Sequence, residues 1–256
     1  MMSIWLAKEA REMVRLGRWI PLVAVYLFLG VLQPITFKLM PLILSSASNL
    51  PEGTVIHIPP PTVDQVLYSI IGQYNQLGIL ALILVGMGLI ASERKLVGEW
   101  LWSKPVNITH YVLAKYSVFF LVAALSSLVG LGIGAYYTVE LIGPVNWSAL
   151  CQGALLYVLY QGFLISLILL ASALVTSPTL AGGLALISIV LVNLLLPMVW
   201  QGHFVSGLLE LIKATLSQTA WSRSSPLWEP IVTTLMGTAL LIGLQIPLLA
   251  WRKTSH

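Results

Sequence analysis

Charged side chains are scarce in this sequence. Of the 256 residues only 9% are Asp, Glu, Lys or Arg, whereas 58% are hydrophobic; soluble domains carry roughly 25% charged residues. Apolar runs of about 20 residues recur along the chain, and each is long enough to cross roughly 30 Å of hydrocarbon as a helix. The composition therefore leaves no room for a sizeable soluble core and predicts an integral membrane protein.

Motifs for catalysis and cofactor binding are also missing. No G-x-x-x-x-G-K-[ST] segment occurs, so the chain has no P-loop of its own for nucleotide phosphates. The histidines, His57, His110, His203 and His256, have no partner at a metal-ligand spacing. No serine, histidine and acid set and no paired glutamates within a span are found. The lone cysteine, Cys151, excludes an internal disulfide, and we expect it to be packed. We therefore expect neither an enzyme nor a chain that binds a metal or another cofactor.

Ionisable residues are nearly absent from the middle of the apolar runs. The polar residues there are Gln161, Asn193 and Gln245, which we interpret as hydrogen-bonding groups between helices. An ion-driven transporter usually keeps an ionisable residue near the bilayer centre, so this class is disfavoured. Glu140 and Lys115 lie near the ends of their spans, where we expect them to snorkel to the interface.

Six apolar runs predict six transmembrane helices in a single transmembrane domain over residues 1–256. The predicted spans are residues 19–37, 67–91, 112–138, 149–175, 179–200 and 231–251. In the third span Ser126, Gly130 and Gly134 are four residues apart and form a stripe on which another helix can pack closely. Residues 201–229 mix leucines with charged residues and predict an amphipathic helix on the membrane surface.

The first segment of the chain, residues 3–18, is amphipathic. Leu6, Ala10 and Met13 fall on one side of a helix, and basic and acidic residues fall on the other. This pattern predicts a helix that lies in the membrane interface. A cleaved signal peptide is the rival interpretation, but the apolar stretch from Trp19 is too long for an ordinary signal peptide.

The basic residues are distributed unevenly over the loops. With the amino terminus inside, 10 of the 13 lysines and arginines face the cytoplasm. They are Lys8, Arg11, Arg15, Arg18, Arg94, Lys95, Lys104, Lys115, Arg252 and Lys253. By the positive-inside rule, we expect a multi-pass protein of the plasma membrane with both termini in the cytoplasm. The net charge of +4 therefore reports topology and does not indicate nucleic-acid binding.

Residues 91–105, ASERKLVGEWLWSKP, form a charged segment between the second and third apolar runs. In a helix, Trp100 shares one face with apolar residues, whereas Arg94, Lys95 and Glu99 lie on the opposite face. One interpretation is an interfacial anchor with its tryptophans at headgroup level. The other is a docking surface for a soluble partner.

The order of residues favours docking. Glu93-Arg94-Lys95 leaves the second run, and Ser103-Lys104-Pro105, then Tyr111-x-x-x-Lys115-Tyr116, leads into the third. This order resembles the "SER/SEK…SKP…K" segment of the permease subunits of type-2 ABC transporters, closely only over residues 91–116. The resemblance implies a cytoplasmic coupling helix that rests on an ATPase. The coupling residues would then be Glu93, Arg94, Lys95, Glu99, Trp100 and Lys104.

The resemblance also implies a function and partners. It implies the permease of an exporter of a peptide, antibiotic, lipid or similar amphipathic solute. Two permeases, identical or paralogous, would assemble in the lipid membrane with two ATPase subunits, which bind ATP and Mg. The second and fifth spans line the pathway in this family, so Gln73, Gln76 and Asn193 are candidate pathway or interface residues. The alternative is a membrane scaffold or assembly subunit that recruits a cytoplasmic partner without moving a solute.

Overall fold

A computed structural model describes residues 2–47, 60–94, 107–199, 204–219 and 226–254. Within these ranges the chain forms helices and no strand. The helices are α1 (Met2–Arg15), α2 (Trp19–Ala47), α3 (Val63–Arg94), α4 (Ile108–Leu141), α5 (Trp147–Leu174), α6 (Pro178–Val199), α7 (Phe204–Leu216) and α8 (Glu229–Thr254). Of the described helices, α2 to α6 and α8 are long and apolar enough to cross a membrane. These six helices confirm an all-α integral membrane protein.

Polar caps make several helices start earlier than the apolar runs predict. The side chain of Asn107 accepts hydrogen bonds from the first free backbone N–H groups of α4, and Asn146 does the same for α5. Thr62 and Gln65 cap α3 reciprocally. Each cap satisfies N–H groups that have no partner within the helix. Because these first turns contain polar residues, the sequence analysis did not include them in the spans.

Small residues bring α2 and α4 into close contact. A Cβ atom added at Gly130 would lie 2.5 Å from the carbonyl oxygen of Tyr26, and one added at Gly134 would lie 2.9 Å from that of Gly30. Only glycine permits backbones to approach this closely. The structure confirms the predicted packing stripe and identifies α2 as the helix that packs on it.

Helix α5 lies at the centre of the bundle. In its most apolar window 72% of the residues are buried, against 22% in α6 and 11% in α8. It contacts α3, α4, α6, α7 and α8. Cys151, near the start of α5, is exposed rather than packed as expected. It lies on the face of the helix that points away from these neighbours.

Helix α7 confirms the predicted amphipathic helix but not its surroundings. Its apolar side chains, including Leu208, Ile212 and Leu216, are buried. They pack mainly on α5 and α8, and Leu216 lies directly against Gly153. Hydropathy indicates which face of a helix is buried but not what buries it. The apolar face of α7 therefore packs on the protein rather than on the membrane surface.

Candidate functional site

The start of the predicted coupling segment is the last turn of α3. Residues 91–94 are helical, and Glu93 and Arg94 end the described part of this helix. The remaining coupling candidates lie outside the described residues: Lys95, Glu99, Trp100 and Lys104.

A hydroxyl from α5 completes the backbone hydrogen bonds of α3 near this end. The regular α-helical pattern of α3 is interrupted at Met87. The Ser172 hydroxyl accepts hydrogen bonds from the N–H groups of Ile90 (3.1 Å) and Ala91 (3.0 Å) and donates one to the Met87 carbonyl (2.8 Å). A side chain inserted into a helical ladder in this way stabilises a local distortion.

Arg94 provides a second attachment between α3 and α5. Its guanidinium donates a hydrogen bond of 2.6 Å to the carbonyl oxygen of Ala173. Carbonyls in the last turn of a helix have no intrahelical donor, and an arginine is a favourable partner there. The end of α3 is therefore attached to the end of α5 by one side chain from each helix.

Glu93 connects α3 to two further helices. Its Oε2 atom accepts a hydrogen bond of 2.7 Å from the Tyr111 hydroxyl and lies 3.0 Å from the Lys115 ammonium, both on α4. Its Oε1 atom accepts a hydrogen bond from Lys8 of α1. One carboxylate thus joins α1, α3 and α4.

Lys115 does not snorkel as the sequence predicted. Its side chain is 0% exposed, and its ammonium lies 3.0 Å from Oε2 of Glu9, which is 4% exposed. The ammonium also lies 5.0 Å from the centre of the Tyr111 ring. The acidic partners arrive from α1 and α3, so the position of Lys115 near the end of its own span did not reveal them.

Lys8, which is more exposed than Lys115, also contacts Glu9 and Glu93. Its ammonium lies 2.8 Å from Glu9 and 3.1 Å from Glu12, in addition to Glu93. Arg18 lies 3.3 Å from Glu12. Partial burial acts to lower the pKa of Lys8, but hydrogen bonds to Glu9 and Glu93 outweigh it, so that this pKa lies above its ordinary value. We name the following residues the ion cluster: Lys8, Glu9, Glu12, Arg18, Glu93 and Lys115.

The ion cluster is neutral, with three carboxylates and three cations. Oxygens of Glu9, Glu12 and Glu93 lie within 4.8 Å of one another, a spacing that could hold a metal ion. Lys8 contacts all three of these carboxylates, and Lys115 contacts two of them. Their negative charge is therefore compensated by lysines of the chain itself, and the arrangement does not call for a metal.

Helix α1 is docked on α4 by a face that includes an acid. Glu9 and Met13 are buried, and Trp5 packs edge-on against Tyr111 with ring centres 5.7 Å apart. The expected amphipathic helix is present. Its buried face includes Glu9, beneath which Lys115 lies, whereas Ala10, which we expected on the apolar side, is exposed.

The candidate pathway residues of the second span surround a π-helical turn. This turn, Tyr74–Gly78, lies in the middle of α3 rather than at its end. Gln73 is half-buried and Gln76 is exposed. A π-helical turn is less stable than regular α-helix and often occurs at functional sites.

Asn193 approaches this turn through Tyr160 of α5. The Tyr160 hydroxyl lies 2.6 Å from Oδ1 of Asn75 and 3.4 Å from Oδ1 of Asn193. Asn193 also donates a hydrogen bond of 3.0 Å to the carbonyl of Ile189 in its own helix. Since one hydroxyl hydrogen serves one acceptor well, the short contact with Asn75 is the stronger. The structure thus brings Asn193 to the π-helical turn by contacts within the chain.

The other mid-span amides join helices, as the sequence predicted. Gln161 donates a hydrogen bond of 2.9 Å to the Tyr26 hydroxyl and accepts one of 3.1 Å from Ser127, so it connects α5 to α2 and α4. Gln245 of α8 donates one of 3.2 Å to the carbonyl of Ser166.

Sequence reasoning did not assign these residues to the site: Lys8, Glu9, Glu12, Arg18, Tyr111, Lys115 and Ser172. Glu9 offered a usable indication, because it lies four residues from both Trp5 and Met13 and so on the face that packs. Ser172 offered none, since serine is common in apolar helices.

Comparisons with known proteins support a membrane protein of several spans. No family model matches the chain. The chain is 31% identical over 166 residues to the uncharacterized transmembrane protein YxlG of Bacillus subtilis (strain 168). The matched region covers 64% of this chain and 64% of that protein. The chain is therefore similar to a protein described as transmembrane, and it has several apolar membrane-spanning helices of its own.

Proposed function

We propose that this chain is the permease subunit of an ATP-driven ABC transporter that exports a peptide, antibiotic, lipid or similar amphipathic solute. In this proposal it lies in the plasma membrane with both termini in the cytoplasm. ATP and Mg bind to a separate ATPase subunit, so that the chain is not itself an enzyme and binds no cofactor. The supporting observation is the attachment of the start of the coupling segment to α1, α4 and α5.

The buried ion pairs favour a segment that transmits motion of the ATPase to the helices over a segment that only anchors the chain in the membrane interface. Removing charges from water costs several kcal/mol per ion, and attraction between the partners only roughly repays this cost. An interfacial anchor requires no such arrangement, because its charges could remain in water. Glu93 and Lys115 instead hold the end of α3 at a defined position on α4. A displacement of the coupling segment would then move both helices together.

A second copy or a paralogue would complete the pathway. A helix is about 10 Å across, so six packed helices leave little space for a sizeable solute. Gln76 is exposed at mid-span, where a polar side chain facing lipid is unfavourable. We propose that Gln76, with Gln73 and Asn193, faces the interface between two permeases.

The alternative function is that of a membrane scaffold that recruits a cytoplasmic partner. The ion cluster would also support a scaffold, because it would hold α1, α3 and α4 in a fixed arrangement on which the partner docks. The two functions differ in one respect: a permease changes the rate at which its ATPase hydrolyses ATP, whereas a scaffold only binds the partner.

The test is purification of the chain from native membranes with its bound partner, followed by reconstitution and measurement of ATP hydrolysis. We expect an ABC ATPase to co-purify and to be stimulated by the permease. Glu93→Gln should lower this stimulation about 30-fold, as expected for loss of a desolvated anchor worth about 2 kcal/mol. The matched control is Glu140→Gln, which changes an exposed glutamate at the other end of α4. Binding of a partner without any stimulation of ATP hydrolysis would favour the scaffold, and absence of an ABC ATPase from the purified complex would refute the permease assignment.

A further inference from the structure

The face of α1 that points away from the bundle is both apolar and basic. Ile4, Val14 and Leu16 are 71%, 67% and 56% exposed. Arg11 and Arg15 are exposed on adjacent turns of the same helix. Residues four apart on a helix lie next to each other, so the two guanidinium groups can approach a single ligand. We name these five residues the outer face of α1.

The two arginines are not used by the ion cluster. Among the residues that the structure describes, the ion pairs at this end involve Lys8, Arg18 and Lys115, and none involves Arg11 or Arg15. Two adjacent cations repel each other by a small amount, and no carboxylate in the described part of the chain pairs with either of them. An anionic ligand would relieve this repulsion.

A cavity lies over this face. Its volume is about 580 Å³, and its walls include Ile4, Leu16, Arg11 and Arg15. Lys8 and Glu12 of the ion cluster also contribute to it. The cavity therefore has apolar and cationic walls, and the one carboxylate among its described lining residues, Glu12, is already paired to Lys8 and Arg18.

The outer face continues into the surface of the first span. Leu16 is followed by Gly17, which has a left-handed φ of 62° and turns the chain from α1 into α2. Trp19 and Ile20 at the start of α2 are exposed. In a membrane this surface meets lipid, and a tryptophan there is typical of the headgroup region. In that setting Arg15 and Leu16 would lie where headgroups end and acyl chains begin.

We infer that the outer face of α1 binds an anionic phospholipid. The headgroup phosphate lies between Arg11 and Arg15, whose guanidinium groups match phosphate oxygens in geometry and charge. The glycerol and the first part of the acyl chains contact Ile4, Val14 and Leu16. An acidic segment of a soluble protein would satisfy the arginines alone. A phospholipid supplies both the anion for the arginines and the apolar chains for the exposed side chains.

The experiment measures lipid binding to the full-length chain in detergent. Ala10 is exposed next to the outer face, so Ala10→Cys in a Cys151→Ala background would carry an environment-sensitive fluorophore. Dioleoylphosphatidylglycerol is titrated in, with dioleoylphosphatidylcholine as the neutral lipid and glycerol 1-phosphate as the soluble headgroup. We expect a saturable response to phosphatidylglycerol, little response to phosphatidylcholine and no competition by glycerol 1-phosphate.

Charge variants then identify the site. Each cation near an anionic headgroup contributes about fivefold to binding, so Arg11→Gln with Arg15→Gln should raise the half-saturating concentration about 25-fold. The control, Lys38→Gln with Lys213→Gln, removes two exposed cations elsewhere and should change nothing. Arg11→Lys with Arg15→Lys should retain most of the affinity. Unchanged binding in the glutamine variant, equal responses to both lipids, or competition by glycerol 1-phosphate would each overturn the proposal. If the double glutamine variant lost ATPase association but bound lipid as the unmodified chain does, this face would be assigned to a soluble partner instead.

Discussion

Lys115 shows how a single residue can organise a site. Its ammonium is removed from solvent, lies 3.0 Å from each of two carboxylates and faces an aromatic ring. A buried charge is tolerated only when such partners are complete, because an unpaired one is very costly. The stability of this end of the bundle therefore depends on the ion cluster as a unit rather than on any one pair.

At the residue scale we predict that Lys115→Met is strongly destabilising. The substitution preserves much of the side-chain volume but removes the buried cation that contacts both Glu9 and Glu93 and leaves the partly exposed Lys8 to compensate them, which should cost about 3 to 5 kcal/mol. Unfolding of the purified protein in mixed detergent micelles would measure the loss. Lys38→Met, which changes an exposed lysine, should cost little. If both variants unfolded alike, the ion cluster would not support the fold.

A double-mutant cycle would separate pairing from packing. Glu93→Gln combined with Lys115→Met removes a negative and a positive charge together. We expect the combined loss to be smaller than the sum of the single losses, since neither group of this pair is then left uncompensated. Strict additivity would indicate that Glu93 and Lys115 act independently.

At the scale of elements, α3 is interrupted at two places, and the segments between them differ in how firmly neighbouring helices hold them. A π-helical turn interrupts it at Tyr74–Gly78, and Ser172 completes its hydrogen bonds after Met87. The stretch that follows Met87 is held by α5, α4 and α1. Bending of α3 would therefore concentrate at these two interruptions, while the start of the proposed coupling segment moves with its neighbours.

The close contact between α2 and α4 predicts that substitution of a glycine at the contact destabilises the protein, whereas substitution of a glycine outside it does not. Gly130→Ala places a Cβ 2.5 Å from the Tyr26 carbonyl, so the two backbones must separate. Such overpacking typically costs about 1 to 3 kcal/mol. Gly132→Ala, on the same helix with nothing within 4 Å of its Cβ, is the control and should be neutral or slightly stabilising. Thermal unfolding in detergent would distinguish them, and equal midpoints would show that the helices can move apart without penalty.

At the scale of the whole molecule, the charge distribution predicts orientation. Ser148 and Thr176 are exposed near opposite ends of α5. In a Cys151→Ala background we expect Ser148→Cys to react with an impermeant maleimide on intact cells. Thr176→Cys and Ser3→Cys should react only after permeabilisation. Labelling of Thr176→Cys from outside would reverse the topology and remove the cytoplasmic location that the coupling role requires.

Assembly of two copies is tested by cross-linking. Gln76→Cys should form an oxidised dimer in membranes, because we place this exposed polar residue at the interface between permeases. Asn193→Cys should form one whose yield changes when ATP is trapped on the partner. Leu240→Cys, on the exposed face of α8, is the lipid-facing control. Monomers alone at positions 76 and 193, together with intact transport in Asn193→Ala, would exclude this pathway.

Much of the fold follows from the sequence because a bilayer leaves few choices. Hydrocarbon cannot hydrogen-bond to peptide groups, so an apolar run of sufficient length must become a helix. The six spans, the amphipathic helices α1 and α7, and the packing stripe at Gly130 and Gly134 could all be predicted for this reason. Hydropathy missed the capped first turns of α3, α4 and α5, which contain polar residues.

The candidate site required the tertiary structure because its groups come from distant parts of the chain. Glu9 and Lys115 are separated by 106 positions, and Glu93 lies between them. Each looks alone in the sequence like a solvated charge near a helix end. Pairing depends on where α1 docks and how α3 ends, and neither is encoded in local periodicity. The sequence by itself determined which segments cross the membrane. Only the packing of those helices decided that these isolated charges join Lys8, Glu12 and Arg18 in one neutral ion cluster at the start of the proposed coupling segment.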